Sequence, residues 1–191
     1  MQAARGTPLS PSEPDLSRPD RAHGLPSRRW VLFAGVALVG YAVDVATKVL
    51  AVQRLDGRDD VPVVGDLLQL TLVRNPGAAF SLGTNYTVAI SIFAIVAAVV
   101  MVYLAGRLRD RIWAIGLGLA LAGVLGNLTD RLLRAPAPLQ GHVIDFLRLP
   151  NWPVFNVADI CINVGIGLIV LQLLRGVDRD GSRPDPRAGA A

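Results

Sequence analysis

The 191-residue chain has one cysteine, two histidines and only 6% aromatic residues, and each shortage closes off a class of chemistry. A lone thiol, Cys161, cannot form an internal disulfide, and no Cys/His spacing offers a zinc site, so no metal or cofactor is expected. Its place inside an apolar run reads as a small packing residue. His23 falls in a Pro-rich tail and His142 at a helix–loop junction, where a lone imidazole more often makes a hydrogen bond than catalyses. The net charge of +4 comes without a basic aromatic surface, so nucleic acid is not an expected partner. No internal repeat is visible, which argues against a carrier built from duplicated halves. The first 29 residues hold no continuous apolar region and do not read as a secretory signal.

What the chain has in excess is apolar surface: 52% hydrophobic residues and a mean hydropathy of +0.44. The apolar residues gather in four blocks, about 30–52, 86–104, 112–128 and 154–174. Each is near the roughly 20 residues a helix needs to cross the hydrocarbon core. The predicted fold class is an all-α membrane protein: four transmembrane helices with a small extended (β) platform on the outer membrane face. Residues 30–175 form this domain, and the Pro-, Ser- and Arg-rich segments 1–29 and 176–191 read as disordered cytoplasmic tails. Twelve of the 18 arginines precede the first block, join the second to the third, or follow the fourth. The positive-inside rule therefore predicts both termini in the cytoplasm.

The platform is expected in the loop 53–85. There Leu68, Leu70 and Leu72 alternate with Gln69, Thr71 and Val73, a strand pattern, and Asn75-Pro76-Gly77 follows as a turn. An exposed strand of this kind can hold a peptide by strand addition. The other outer loop, about 129–153, carries Pro136, Pro138, Pro150 and Pro153 and is not expected to form one long helix. Small residues in the third and fourth blocks, among them Gly116, Gly123, Gly126 and Gly165, suit close helix packing in lipid.

Five polar patches interrupt this apolar background towards one side of the membrane. VDVATK places Asp44 and Lys48 four apart, on one helix face. RNPGAAFS holds Asn75, with Gly77 opening a run of small residues that lets another chain approach. GNLTDRL sets Asn127 and Asp130 three apart, with Arg131 following. VIDF holds Asp145 between apolar neighbours, which raise a carboxyl pKa. Asn156, Asp159 and Asn163, at offsets of three and seven, draw one polar stripe down the fourth block. Each patch alone has a structural alternative: a neutralising pair, a turn, a helix-end salt bridge, a surface carboxylate, a hydrogen-bonded seam. Together they put two carboxyls, Asp145 and Asp159, at one membrane face, where burial of an ionisable group is costly and marks function. Two such groups held close share a proton, so that one can activate water while the other acts as acid.

In this order, the motifs VDVATK, RNPGAAFS, GNLTDRL, VIDF and FNVADICINVG strongly resemble those of the lipoprotein signal peptidases (signal peptidase II). The likeness spans about 41–167 and carries the same four-span layout. It implies an aspartic endopeptidase of the bacterial inner membrane that cuts prolipoproteins just before a diacylglyceryl-modified cysteine, in contact with membrane lipids. By motif, Asp145 and Asp159 are implied to be the catalytic pair. Asp44, Asn75, Asn127, Asp130, Arg131 and Asn156 are implied to position substrate and orient that pair. Val45 departs from the pattern, where the family usually has Gln. A proton- or ion-coupled carrier and a non-catalytic scaffold are the competing readings. The carrier requires polar groups through the full membrane depth. A monomer is expected, since four helices can satisfy the small-residue packing among themselves.

Overall fold

The computed structural model describes residues 28–77 and 86–183. Its elements in chain order are α1 (Arg28–Leu55), β1 (Val61–Val64), β2 (Leu68–Asn75), α2 (Thr87–Ala105), α3 (Arg111–Leu133), β3 (Val143–Arg148) and α4 (Val157–Leu174). All four helices are long and apolar enough to span a membrane. α3 is the axis of the bundle: 56% of its apolar window is buried, against 17–22% in the others, and α1, α2 and α4 each pack on it.

Glycines permit this close contact. A Cβ on Gly123 would collide with the Ala158 carbonyl of α4, and one on Gly126 with the Asp44 carboxylate of α1. Gly116 and Gly165 face each other's backbone across the α3–α4 seam, the small-residue packing expected where lipid supplies no hydrophobic drive. Around the α2–α3 turn, Phe33, Ala105, Leu108 and Ala114 form one apolar cluster, while Ala51, Leu55, Ile144 and Phe146 form another beneath the sheet.

The extended platform is a three-stranded antiparallel sheet in the order β1-β2-β3. The predicted strand is β2, and the two strands beside it had no alternation to reveal them. β1 is Val-Pro-Val-Val with every residue exposed, while the first four residues of β3 are all buried. The register pairs Gln69 with Arg148 and Leu70 with Leu147, then shifts to pair Val73 with Asp145 and Asn75 with Val143. That one-residue bulge sets Asn75 on the same face as Asp145, diagonally across the ladder.

Three boundaries differ from the sequence expectation. α3 continues to Leu133 rather than stopping near 128, because its polar last turns are buried and paired instead of solvated. Residues 129–133 of the expected loop are therefore helical, and 143–148 are strand. α4 starts at Val157 rather than 154, at a capping box in which the Asn156 side chain accepts from the Asp159 amide and Asp159 accepts from the Asn156 amide. Residues 176–183, read as the start of a tail, fold back on the α2–α3 turn: Trp113 Nε1 donates to the Val177 carbonyl, and the Arg109 and Asp110 amides donate to that of Arg179. Residues 1–27 and 184–191 of the expected tails lie outside the described residues.

Candidate active site

The sequence motifs lie far apart in the chain but converge at one end of the bundle. The second half of α1 supplies Asp44 and Lys48, the last turns of α3 supply Asn127, Asp130 and Arg131, the end of β2 supplies Asn75, β3 supplies Asp145, and the start of α4 supplies Asn156 and Asp159. Asp44, Lys48, Asp130, Arg131, Asp145 and Asn156 are all at most 7% exposed. Polar groups withdrawn from water to this degree must satisfy one another.

Lys48 organises the inner layer. Its ammonium lies 2.8 Å from Asp44 Oδ2 and 3.0 Å from Asp130 Oδ2, and donates to Asn127 Oδ1 at 2.8 Å. Two carboxylates and one amide oxygen thus surround the single ammonium. Asp44 accepts the Ala158 amide at the first turn of α4 (2.8 Å), so the carboxylate also ties α1 to that helix. Asp130 accepts the Ile144 amide at 3.2 Å and pairs with Arg134, which fixes β3 against the end of α3.

Asn127 and Asn156 carry this order to the two candidate carboxyls. Asn127, its oxygen held by Lys48, donates through Nδ2 to Asp159 Oδ1 at 2.9 Å. Asn156 Nδ2 reaches Asp145 Oδ1 at 2.6 Å, with the Asn127 oxygen (3.1 Å) and the Ile144 carbonyl (3.2 Å) also in range. Asn75 Nδ2 donates to the other Asp145 oxygen at 2.9 Å, and Asn75 Oδ1 in turn accepts the Gly77 amide at 3.0 Å. Asp145 and Asp159 thus flank Asn156, one on its side-chain amide and the other in its capping box. Among the described residues both lack a direct lysine or arginine ion pair, although Lys48 lies behind the asparagines.

Burial is the main influence on the Asp145 carboxyl. Together with the nearby Asp159 charge it outweighs the hydrogen bonds from Asn75 and Asn156 and moves the pKa from 3.8 up to about 6. A carboxyl titrating there can hold or release a proton near neutral pH, which acid–base work requires.

Both carboxyls open onto a cleft of about 1090 Å³. Asn75, Gly77, Asn127 and Arg131 line its polar wall, and Trp152, Ile160 and Val164 are among its apolar rim. Arg131 donates through Nη2 to the Gly77 carbonyl at 3.1 Å, while its buried Nε and Nη1 find no partner among the described residues. Unpaired donors on a buried guanidinium beside an open cleft are available to a bound acceptor. Every predicted site residue therefore lies in the cleft wall or in the layer behind it. Cys161 is buried, and His142, whose amide bonds to the Ala135 carbonyl, is not among the cleft residues. Ala78 and Ala79 of the RNPGAAFS motif fall outside the described residues. Among the described residues no cluster of His, Cys, Asp and Glu has the geometry of a metal site.

A bundle of four helices long and apolar enough to span a membrane, capped by a three-stranded sheet with two carboxyls facing one cleft, is an architecture that suits a membrane hydrolase of the aspartic type. Residues 36–175 match the family model described as signal peptidase (SPase) II, and the chain belongs to that family. It is 47% identical over 156 residues to the lipoprotein signal peptidase of Mycobacterium leprae, covering 82% of this chain and 78% of that protein. The lipoprotein signal peptidase of Rhodococcus jostii is 48% identical over 158 residues, covering 82% and 78%, and that of Mycolicibacterium smegmatis 43% over 190 residues, covering 95% and 81%. A solved structure of a bacterial membrane enzyme superposes with a TM-score of 0.67 at 25% identity, covering 80% of this chain and 93% of that one.

Proposed function

We propose that this chain removes signal peptides from diacylglyceryl-modified prolipoproteins by a water molecule activated between Asp145 and Asp159. The protein is a multi-pass bacterial membrane protease of the signal peptidase II family, an aspartic peptidase. The carrier alternative is not supported. Among the described residues, apart from Gln172 near the far end of α4, the buried polar side chains gather at the sheet end of the bundle and form no polar path across it.

The observation that carries the mechanism is the shared anchoring of two carboxyls on Asn156, facing one cleft. One carboxyl, ionised, takes a proton from water as it attacks the scissile carbonyl. The other, protonated, donates to the carbonyl oxygen as it becomes negative. The carbonyl carbon–nitrogen bond then breaks as an acid proton passes to the leaving amine, the new N-terminus of the lipidated cysteine, and a hydroxyl of the tetrahedral intermediate returns its proton to the pair. No covalent enzyme intermediate forms, and one proton remains on the pair at the end of the cycle. Asn75, Asn127 and Asn156 orient the carboxyls, and Lys48 with Asp44 and Asp130 holds those asparagines. Arg131, whose Nε and Nη1 have no partner among the described residues, binds a substrate carbonyl next to the cut. The sheet and Gly77 border the path of the extended peptide, and the apolar rim receives acyl chains.

The arginine distribution supports cytoplasmic termini. That orientation puts the cleft at the outer leaflet, where a lipidated substrate arrives sideways through the bilayer. The enzyme acts as a monomer, which a detergent-corrected mass measurement tests directly. The activity itself is tested by incubating the purified protein in micelles with a diacylglyceryl-modified prolipoprotein and with its unlipidated form, then mapping products by mass spectrometry. Cleavage before the cysteine of the lipidated form alone supports this reading. Absence of cleavage, or cutting that ignores the lipid, contradicts it.

A further inference from the structure

Asn163 is a polar residue that neither the layer around Lys48 nor the carboxyl pair uses. It lies one helical turn below Asp159 on α4, is exposed, and lines the same cleft. Its Nδ2 donates to the Asp159 carbonyl at 2.9 Å. That bond fixes the amide's orientation, because only the nitrogen can donate to a carbonyl, and it leaves Oδ1 as an acceptor without a partner among the described residues. An unpaired amide oxygen facing lipid would be costly a full turn into a spanning helix. Its neighbours on the exposed face, Ile160, Val164, Ile166 and Val170, are all apolar.

The substrate supplies the missing donor. A signal peptide crosses the bilayer as a helix, but its peptide bond reaches the carboxyl pair only where the chain is extended. Unwinding frees backbone N–H groups in a medium that offers them no water. Four residues of helix put Asn163 about 6 Å further into the membrane than Asp159. An extended chain advances about 3.3 Å per residue, so that depth corresponds to about two residues upstream of the cut.

We propose that Asn163 Oδ1 accepts the backbone N–H of the signal peptide about two residues before the cleaved bond, making Asn163 a substrate-positioning residue. This rests on the peptidase reading above. Asn163 helps keep the unwound segment extended, and it recognises main chain rather than side chain, which suits an enzyme with many substrates.

The test is a double-mutant cycle on a synthetic lipidated substrate. The parent enzyme, Asn163→Leu and Asn163→Thr are each assayed against the unmodified peptide and against peptides N-methylated singly at each of the four residues before the cut. Leucine keeps the size and removes the acceptor. Threonine can donate to the same Asp159 carbonyl and still accept. The expected result is a rise in KM of about fivefold for Asn163→Leu with kcat little changed, and near-parent values for Asn163→Thr. N-methylation two residues before the cut weakens the parent by a similar factor and costs Asn163→Leu nothing more.

Losses that add independently at every methylated position would overturn the proposal, as would an Asn163→Leu enzyme with parent kinetics. A fall in kcat with unchanged KM for Asn163→Leu would also overturn it, by assigning the residue to the orientation of Asp159. Failure of the parent to cut the unmodified peptide would instead overturn the peptidase reading, and this inference with it.

Discussion

Replacing Lys48 by methionine removes the cation from the centre of the buried layer while keeping most of its volume. The side chain is 1% exposed, and its ammonium is the shared partner of Asp44, Asp130 and Asn127. Breaking a buried ion pair by deleting one member typically costs about 3–5 kcal/mol, because the remaining charge stays desolvated. Among the described residues Asp130 keeps Arg134 and the Ile144 amide, whereas Asp44 keeps only the Ala158 amide, so most of the loss falls on Asp44. At 1.4 kcal/mol per decade, the folding equilibrium should fall by about two to three and a half decades, read from denaturant unfolding in mixed micelles. Asp44→Asn combined with Lys48→Met removes the orphaned charge along with its partner and should recover at least half of that loss. Activity should stay low in the double variant even when fully folded, since Asn127 has lost the contact that fixes its oxygen. A single Lys48→Met variant within about 1 kcal/mol of the parent would refute the reasoning, because such a cost belongs to exposed pairs. So would a double variant no more stable than the single one.

Further outcomes follow from the same geometry. Asp145 binds its proton more tightly when folded, with a pKa raised from 3.8 to about 6, so its contribution to stability is complete below pH 3.8 and is lost as pH rises through about 6. Taken alone that shift is on the order of 3 kcal/mol, so thermal melts of the parent should show a fall in stability between about pH 4 and 6 that Asp145→Asn lacks. The kcat/KM profile should show an ionisation in the same range, belonging to the pair rather than to one residue. Gly123→Ala, whose Cβ would meet the Ala158 carbonyl, should destabilise by about 1–3 kcal/mol, while Gly167→Ala, with nothing within 4 Å, should be neutral or slightly stabilising. Equal melting temperatures for these two variants would contradict the α3–α4 packing described above.

The sequence was most informative where one pattern served one purpose. Four apolar runs marked the four helices, and the alternation of Leu68, Leu70 and Leu72 marked β2. β3 was hidden because its first four residues are buried and its central polar residue is Asp145, so no period of two survives. The end of α3 was set too early by hydropathy, which counts Asn127, Asp130 and Arg131 as polar. Asp130 is paired with Lys48 and Arg134, Asn127 is hydrogen-bonded to Lys48 and Asp159, and the helix continues through them. The motifs named the residues that converge at the cleft but not their wiring. That Asn156 joins both carboxyls depends on its place at the start of α4, and Asn156-x-x-Asp159 is itself a capping-box pattern that could have given that boundary. The fold-back of residues 176–183 had no compositional signal, because backbone carbonyls make its contacts with Trp113 and the α2–α3 turn.

The central claim is that Asp145 and Asp159 act on water as a unit, and the most direct measurement is the single-turnover cleavage rate of a diacylglyceryl-modified prolipoprotein in micelles. The parent, Asp145→Asn, Asp159→Asn and the double variant are compared after each is shown to melt cooperatively. The account predicts cleavage before the lipidated cysteine by the parent and a loss of about a thousandfold in either single variant. The double variant should be no slower than the singles, since groups that act together are not additive. A folded single variant that keeps a tenth or more of the parent rate would contradict it.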